Sequence, residues 1–198
     1  MKVIGLCGGS GSGKGAVGDV FQRFGALVID TDALYHKMTS GQSECLDALV
    51  REFGDDIVHN GALDRKKLSS IVFYGDGAKA RLEKLNGISH KFILDEVRRI
   101  IADGASRGFR YAVVDAPLLF ESGFDSECDV TVAVVANTET RIARIMARDG
   151  ISREKAELRI ASQHTDEWLI ENSDFVVRND NGISLLEEQV KIIFDQIR

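Results

Sequence analysis

Short apolar runs recur along the chain, and segments with helical spacing separate them. The runs are KVIGLC at 2–7, ALVI at 26–29, YAVV at 111–114, VTVAVV at 130–135 and FVV at 175–177. Because they are continuous rather than alternating with polar residues, they are typical of parallel strands covered on both faces. The alternation of strands and helices predicts an α/β fold, in which right-handed crossovers build an open five-stranded parallel sheet.

Apolar residues at helical spacing mark the first and last helices. The first helix has one apolar face, formed by Val17, Val20, Phe21 and Phe24. Gly25 is suited to end it, since glycine readily adopts the left-handed conformation found at helix ends. The last helix has an apolar face formed by Leu186, Val190, Ile193 and Ile197. Ser184 and Glu187 have the spacing of a capping box at the start of that helix.

The crossover between the second and third runs is too long for one helix. Residues 33–108 are rich in helix formers, with apolar residues spaced for several helices. Structureless loops of that length are rare inside a compact domain, so a helical insertion is predicted. Open α/β sheets bind ligands beyond the carboxyl ends of their strands. An insertion that leaves from the second strand is therefore expected to hold a second substrate there.

A glycine-rich stretch, GLCGGSGSGKGAVG at 5–18, joins the first strand to the first helix. Gly8, Gly13 and Lys14 have the G-x-x-x-x-G-K spacing of a P-loop, whose backbone N–H groups and helix dipole bind phosphates. The lysine of such a loop reaches the β- and γ-phosphates of a nucleotide. The predicted nucleotide contacts are Gly9, Ser10, Gly11, Ser12, Gly13, Lys14, Gly15 and Ala16.

The residues after Lys14 depart from the usual P-loop. A Ser or Thr normally follows the lysine and helps to hold Mg²⁺. Gly15 and Ala16 carry no hydroxyl, although Ser10 and Ser12 supply hydroxyls nearby. Since Mg²⁺ is held largely by phosphates, water and one or two carboxylates, we expect a weakened Mg²⁺ site rather than a lost one.

Two other interpretations of the glycines are weaker. Gly13, Gly15 and Gly18 match the G-x-G-x-x-G of dinucleotide-binding loops, but that motif opens directly after a strand. Here residues 8–12 intervene, and the match falls inside the helical pattern. A glycine turn without a ligand would give Lys14 no packing purpose. Phosphate binding is the favoured interpretation.

Composition and charge restrict the partners. The net charge is −6 and the pI is near 5.3, which argues against a general nucleic-acid binder because such proteins carry a basic excess. No apolar run approaches the length of a membrane span, and the chain starts with a strand pattern rather than a signal peptide. The three cysteines lack zinc or CxxC spacing. We expect a cytoplasmic monomer without nucleic-acid or membrane partners.

Four further segments, taken together with the P-loop, identify a resemblance. They are VIDTDALYHKM at 28–38, LNGISHKFI at 85–93, VVDAPLLFESG at 113–123 and RIMARDGISREKAELRIASQ at 144–163. In these segments and their order, the sequence resembles the dephospho-coenzyme A kinases over nearly the whole chain. The resemblance implies ATP-dependent phosphorylation of the ribose 3′-hydroxyl of dephospho-CoA, the last step of coenzyme A synthesis, with Mg²⁺ as the metal.

The resemblance also implies an organisation of the chain. A P-loop kinase fold would provide the nucleotide-binding core, residues 33–108 the helical CoA-substrate insertion, and residues 149–168 the lid. Some positions depart from the family. Lys91 stands where proline is usual, Leu169 and Ile170 where basic residues are common, and Arg178 where an acidic one is usual. These changes bear on ligand contacts more than on the fold.

Two aspartates are assigned roles by the resemblance. Asp32 would orient or deprotonate the attacking ribose hydroxyl. From sequence alone, a helix N-cap is an equally good interpretation of Asp32, while Asp30 is expected to be structural. Asp115 ends the third strand and would hold Mg²⁺ or its waters, as a Walker-B carboxylate does. The alternative for Asp115 is a turn cap at the strand end.

Arg141, Arg144 and Arg148 lie at i, i+3 and i+7 on a helix that Thr138 can cap and Gly150 can end. A solvated surface is the usual interpretation of such a stripe. The resemblance instead matches Arg144 and Arg148 to basic positions near the lid, where arginine binds phosphate and stabilises transition-state charge. Arg148 is the first candidate, Arg144 the second, and Arg159 a weaker one.

His90 and Leu118 are the remaining candidates. His90 matches a histidine of the family's substrate domain and is expected to contact the CoA moiety rather than to catalyse; a structural histidine is the alternative. Leu118 is expected to help shape the floor of the substrate cleft, and core packing is its alternative.

Three other functions remain to be weighed. A non-catalytic paralogue that binds nucleotide or CoA would explain Gly15 and Ala16, but it would not be expected to keep Lys14, Asp32, Asp115 and Arg148 together. A related small-metabolite kinase would act on a nucleoside, and the long insertion argues against it. A GTPase would carry an N/T-K-x-D segment after the fourth strand, where the sequence is VVANTETR.

Overall fold

The computed structural model describes residues 1–197 and consists of two compact units. The first comprises Met1–Ile29 and Ile101–Arg198, and the second comprises Asp30–Ile100. The strands are β1 (Lys2–Cys7), β2 (Leu27–Asp30), β3 (Val58–His59), β4 (Ala62–Leu63), β5 (Tyr111–Asp115), β6 (Val130–Val135) and β7 (Phe175–Arg178). The helices are α1 (Lys14–Arg23), α2 (Thr31–Thr39), α3 (Glu44–Phe53), α4 (Arg65–Val72), α5 (Ala78–Ser106), α6 (Thr138–Asp149), α7 (Arg153–Ala161), α8 (Asp166–Glu171) and α9 (Gly182–Gln196).

The first unit is built on a five-stranded sheet with the strand order β2-β5-β1-β6-β7. β1 pairs in parallel with β5 on one side and with β6 on the other, and β6 pairs in parallel with β7. The chain goes from β1 to one side of the sheet and, after β5, crosses to the other. The carboxyl end of β1 therefore lies at the topological switch point, where open α/β sheets bind ligands.

The central strands are buried on both faces, which explains their continuous apolar sequence. On one face, Ile4 of β1 and Val132 of β6 have no exposed surface, and on the other face Cys7 of β1 and Ala133 of β6 are 1% and 0% exposed. Helices α1 and α9 cover one face of this part of the sheet with the predicted apolar residues, except Phe24, which follows the last residue of α1 and is 46% exposed. Burial of such side chains is the dominant favourable contribution to folding.

Phe194 of α9 joins this helix to the sheet and to α1. Its ring makes an edge contact with Tyr111 at a centroid distance of 4.7 Å, and tilted contacts with Phe21 at 5.3 Å and Phe24 at 5.8 Å. Aromatic pairs favour such tilted and edge arrangements because of their ring quadrupoles.

The five predicted strands are confirmed, while some predicted helix ends are wrong. α1 ends as expected, with Gly25 at a φ of 89°. The last helix begins at Gly182 after an Asn181 N-cap, so the capping box at Ser184 is wrong because that residue lies inside the helix. α6 is capped by Asn137 rather than Thr138, through a 2.9 Å hydrogen bond from the N–H of Glu139.

The second unit is mainly helical. It contains α2, α3, α4, most of α5 and the small antiparallel pair of β3 and β4. Its own core is formed by Cys45, Leu49, Ile57, Leu68 and Val72. The insertion predicted at 33–108 overlaps most of this unit, which spans residues 30–100. Across residues 1–197, none of the helices has the length and apolar character needed to cross a membrane.

Neighbouring isoleucines on α9 provide a stability test. Ile193 is 3% exposed and Ile192 is 56% exposed. Ile193→Ala should lower the free energy of unfolding by about 2–5 kcal/mol because it leaves a cavity in the core. Ile192→Ala, which makes the same change in helix propensity, should alter it by less than about 0.5 kcal/mol. Urea unfolding measures both, and equal losses would contradict the packing described here.

Candidate functional site

The segment between β1 and α1 forms a tight glycine-rich loop. β1 ends at Cys7 and α1 begins at Lys14, with the loop, Gly8–Gly13, between them. Gly13 is the N-cap and adopts a left-handed conformation, with φ of 86° and ψ of 34°. Ser12 donates its N–H to the carbonyl oxygen of Gly9 over 3.1 Å. The first N–H groups of α1 have no preceding helical turn, which makes this helix end suited to bind an anion.

At positions 11 and 13 of the loop, glycine is required both by backbone conformation and by space. Gly11 and Gly13 have φ of 78° and 86°, in the region that residues with a Cβ avoid. A Cβ on Gly11 would lie 2.5 Å from the carbonyl oxygen of Arg141, and one on Gly13 would lie 2.1 Å from Nδ2 of Asn179. The loop therefore approaches its neighbours more closely than any other residue type would allow.

Arg144 and Asn179 hold the outer carbonyl groups of the loop. Arg144 donates from Nη1 to the carbonyl oxygens of Gly11 and Ser12, each over 3.2 Å. Asn179 donates from Nδ2 to the same Ser12 carbonyl over 2.9 Å. In a planar trans peptide the N–H points away from the carbonyl, so these contacts direct the N–H of Gly13 away from Arg144.

A second arginine of α6 contacts the loop from the same side. Arg141 is 3% exposed; it donates from Nε to the carbonyl oxygen of Ser10 over 3.0 Å and from Nη1 to Oδ1 of Asp166 over 2.6 Å. The N–H of Ser10 donates to Oε1 of Gln163 over 2.8 Å. Burial raises the pKa of the Asp166 carboxyl, since its loss of hydration outweighs the attraction of Arg141.

Lys14 and Asp115 lie together at the carboxyl edge of the sheet. Asp115 is the last residue of β5 and is in register with Leu6 of β1. Nζ of Lys14 lies 3.6 Å from Oδ1 of Asp115, and the two side chains are only 15% and 16% exposed. A lysine and a carboxylate at the start of α1 are the charges that phosphate and a hydrated divalent cation need.

Position 15 has space for a side chain, and the hydroxyl of Ser12 is enclosed. Among residues 1–197, no atom outside the local chain lies within 4 Å of a Cβ built on Gly15. Ser12 is fully buried, and its Oγ has no hydrogen-bond partner within the described part of the chain. Ser12 therefore does not present its hydroxyl at the surface where α1 begins, so it does not stand in for the hydroxyl missing after Lys14.

Arg148 lies in an ion-pair group at the end of α6. It donates from Nε and Nη2 to the carboxylate of Asp149 over 2.8 and 2.9 Å, and 61% of its side chain is exposed. Arg159 of α7 binds the same carboxylate. The hydrogen bonds from Arg148 and Arg159 lower the pKa of the Asp149 carboxyl to about 2. Of the predicted arginines, Arg144 binds the loop from α6, whereas Arg148 and Arg159 bind the carboxylate of Asp149.

Asp32 and His90 belong to the second unit. Asp32 is exposed in the first turn of α2, and His90 is half-buried on α5. The N-cap of α2 is Asp30, whose carboxylate accepts from the N–H of Ala33 over 2.9 Å. The capping interpretation of Asp32 is therefore wrong, because its neighbour Asp30 fills that role.

Leu118 is 42% exposed and lines a cavity of about 80 Å³ beside Gly8 and Gly9. A larger groove, of about 510 Å³, lies at the opposite edge of the sheet, where β5 begins at Tyr111. Arg107, Arg110 and Lys191 line that groove together with Asp195, but α1 and α9 present their C-terminal ends to it, and helix C-termini disfavour anions. We therefore identify the candidate phosphate site by the chemistry of the glycine-rich loop beside the smaller cavity, and not by the greater volume of the groove.

Three residues that contact the loop, Arg141, Gln163 and Asn179, are absent from the set predicted by sequence. The i, i+3 spacing already placed Arg141 on the same helix face as Arg144, but the resemblance matched only Arg144 and Arg148 to functional positions. Gln163 and Asn179 bind loop residues that are 153 and 167 positions away in the chain. No local pattern joins such distant residues, so only the fold brings them together.

Comparison with known sequences identifies one family. The sequence model of the family described as Dephospho-CoA kinase matches residues 2–184. The dephospho-CoA kinase of Burkholderia pseudomallei strain K96243 is 38% identical over 186 residues, which cover 92% of this chain and 88% of that protein.

Comparison with solved structures supports the fold. The protein TT1252 from Thermus thermophilus is 29% identical and superposes with a TM-score of 0.80, covering 100% of this chain and 98% of its own. A dephospho-CoA kinase from Campylobacter jejuni superposes with a TM-score of 0.69 and the same coverage, at 24% identity. At that identity the likeness concerns the fold alone.

Substitution by alanine should change the stability of the protein in opposite directions at Gly13 of the loop and at Gly15 of α1. Gly13→Ala should destabilise the protein by at least about 1–2 kcal/mol, the cost of a left-handed alanine, because its Cβ would also collide with Asn179. Gly15→Ala should stabilise it by about 0.5–1 kcal/mol, since position 15 is helical and has space. Urea unfolding measures both changes. A Gly13→Ala variant as stable as the wild type would contradict the loop geometry.

Proposed function

We propose that this chain, which belongs to the dephospho-CoA kinase family, transfers the γ-phosphoryl group of ATP to the ribose 3′-hydroxyl of dephospho-CoA. The products are coenzyme A and ADP. The observation that carries the proposal is the glycine loop with Lys14 and Asp115 at the carboxyl edge of β1 and β5. The family supplies the identity of the acceptor.

The loop binds the phosphates of ATP in this proposal. The proposed contacts lie in the segment from Gly9 to Ala16, with the positive end of the α1 dipole behind them. The N–H groups of Ser10, Ser12 and Ala16 already donate within the protein, so the remaining N–H groups of the segment are the phosphate donors. Lys14 binds the β- and γ-phosphates. Asp115 holds Lys14 at 3.6 Å, which keeps the ammonium at the start of α1. Arg144 acts through the loop, because its Nη1 is engaged by the carbonyls of Gly11 and Ser12.

Asp32 is the proposed base. Its carboxylate takes the proton of the 3′-hydroxyl as that oxygen forms a bond to the γ-phosphorus and the bond to the β,γ-bridging oxygen breaks. Asp32 is exposed in the first turn of α2, and the N-cap of that helix is Asp30. Support for Asp32 comes from its place in the VIDTD segment after β2.

The other substrate contacts are assigned by the same reasoning. The second unit, Asp30–Ile100, is proposed to hold dephospho-CoA, with His90 in contact with its CoA moiety. Leu118 borders the cavity beside Gly8 and Gly9 and is proposed to contact the acceptor. Residues 149–168 are proposed to form the lid, which brings Arg148 to the transferring phosphoryl group when its pair with Asp149 opens.

A magnesium ion fits the residues at this site, although the chain supplies few ligands. Among residues 1–197, no group of three or more His, Cys, Asp or Glu could hold a metal. Such a site suits Mg²⁺ rather than a metal that needs a protein cage, because ATP and water can supply most of its oxygens. Asp115 would hold the ion or its waters. When bound, Mg²⁺ neutralises charge on the phosphates.

We also propose a cytoplasmic monomer that binds neither nucleic acid nor membrane. The net charge of −6 opposes binding to a polyanion. Cys7, Cys45 and Cys128 are free thiols, as suits a reducing compartment. The second candidate function is a nucleotide-binding paralogue without transfer, which the absence of a hydroxyl at Gly15 and Ala16 favours.

The reaction is tested by ATP-dependent conversion of dephospho-CoA to coenzyme A. Asp32→Asn should lower kcat by about 10²-fold or more while nucleotide affinity is kept, because the base is lost. Asp30→Asn is the matched control and should keep kcat, since asparagine caps a helix as well as aspartate does. Lys14→Ala should lose ATP binding.

Two outcomes would contradict the assignment. Full kcat in Asp32→Asn would remove Asp32 from the role of base. Tight binding of ATP by the wild type without turnover of dephospho-CoA, at any Mg²⁺ concentration, would favour the paralogue that binds without transfer.

The missing hydroxyl can be restored at position 15. Gly15→Ser places a hydroxyl where space is available and should lower the Mg²⁺ concentration for half-maximal rate by about tenfold, equivalent to about 1.4 kcal/mol. Gly15→Ala is the control, because it makes a similar change in helix propensity without adding a ligand. A Mg²⁺ titration of the rate measures both, and equal Mg²⁺ dependence in the two variants would show that the hydroxyl plays no part.

A further inference from the structure

Arg141 stands apart from the other arginines of α6 because it is buried. Only 3% of its surface is exposed, whereas 61% of the Arg148 side chain is exposed. Its guanidinium joins the carbonyl oxygen of Ser10, at 3.0 Å from Nε, to the carboxylate of Asp166, at 2.6 Å from Nη1. Its Nη2 is buried and, within residues 1–197, has no hydrogen-bond partner.

The backbone of Ser10 is held on both of its polar groups. Its carbonyl accepts from Arg141, and its N–H donates to Oε1 of Gln163 over 2.8 Å. Gly9 makes room for this arrangement. A Cβ at position 9 would lie 2.2 Å from Nη2 of Arg141 and 3.3 Å from Oε1 of Gln163. A single residue of the loop is thus fixed by side chains from α6 and from the segment before α8.

Stability alone does not account for the Arg141–Asp166 pair. Arg141 is buried and the Asp166 side chain is 23% exposed, so both charges lose hydration, and such an ion pair can often be replaced by apolar residues at little cost. Loss of hydration raises the pKa of the Asp166 carboxyl in spite of its contact with Arg141. The contact of the pair with the backbone of the loop points to another role.

We propose that Arg141, Asp166 and Gln163 are positioning residues that fix the Ser10 peptide groups and thereby hold the loop in the conformation that binds the nucleotide phosphates. Asp166 orients the guanidinium, the guanidinium fixes the carbonyl of Ser10, and Gln163 fixes its N–H. Because the N–H of a trans peptide points away from its carbonyl, anchoring the Ser10 carbonyl on Arg141 directs the N–H of Gly11 to the other side. Arg141 acts through the loop and does not touch the nucleotide.

This inference rests on the proposed function only for the nature of the nucleotide. It concerns binding of ATP and ADP, which can be measured without the acceptor. If the wild type binds ADP but does not phosphorylate dephospho-CoA, the proposed reaction fails while the positioning role is still tested by nucleotide affinity. If the wild type binds neither ATP nor ADP, both proposals fail.

The experiment replaces the buried pair as a unit. Arg141→Met/Asp166→Leu removes both charges, so no unpaired charge remains buried and the thermal unfolding temperature should stay close to that of the wild type. The dissociation constants of ATP and ADP, measured by calorimetry, should rise about tenfold, equivalent to about 1.4 kcal/mol. In steady-state assays the KM for ATP should rise while the KM for dephospho-CoA stays within about twofold of the wild type.

The matched control is the exposed pair between α1 and α9. Arg23 and Glu187 are joined over 2.6 Å, with side chains that are 53% and 42% exposed. Arg23→Met/Glu187→Leu makes the same chemical change away from the loop and should leave nucleotide affinity unaltered. Arg141→Lys keeps the charge but lacks the guanidinium fork, so it should bind nucleotide more weakly than the wild type.

The Gln163→Leu variant tests the proposal without changing the Arg141–Asp166 ion pair. It removes the acceptor for the N–H of Ser10 and leaves Arg141 and Asp166 in place, so the Kd of ADP should rise about threefold or more if the N–H must be held. Wild-type Kd values for ATP and ADP in either Gln163→Leu or the folded double variant would overturn the proposal. A lower unfolding temperature with unchanged Kd would assign these residues a purely structural role.

Discussion

Close packing of α6 against the glycine loop is the constraint on which the site depends. The loop lies so near this helix that a Cβ on Gly11 would come within 2.5 Å of the backbone carbonyl of Arg141. At that distance the guanidinium of Arg144 reaches the outer carbonyls of the loop. The glycines thus serve two purposes, since they allow the left-handed turns and also admit the helix that holds those turns in place.

Much of the first unit could be predicted from the sequence because its determinants are local. The continuous apolar runs specify strands buried on both faces, and they coincide with the observed strands to within a residue at each end. Lys14 could be placed at the start of α1 because its spacing from Gly8 and Gly13 is a local motif. Helix starts were less predictable, since several side chains near residues 137 and 181 can cap.

The side-chain contacts that hold the loop could not be predicted from the sequence, and the reason is physical. Arg144 and Arg148 occupy the same stripe and cannot be ranked by spacing, yet one binds the loop and the other binds Asp149. Which partner each arginine meets depends on how α6 crosses the loop and on where α7 begins. Gln163 and Asn179 contribute single side chains from distant parts of the chain. Such contacts follow from the tertiary structure and leave no periodic pattern.

The contact between Gly9 and Arg141 restricts how this sequence can diverge. The buried guanidinium occupies the volume that a side chain at position 9 would need, since the two would be 2.2 Å apart. An alanine at position 9 therefore requires the guanidinium of Arg141 to move, and such a movement would disturb its contacts with Ser10 and Asp166. The effect of a substitution at position 9 thus depends on the residue at position 141, so the two positions are expected to be epistatic.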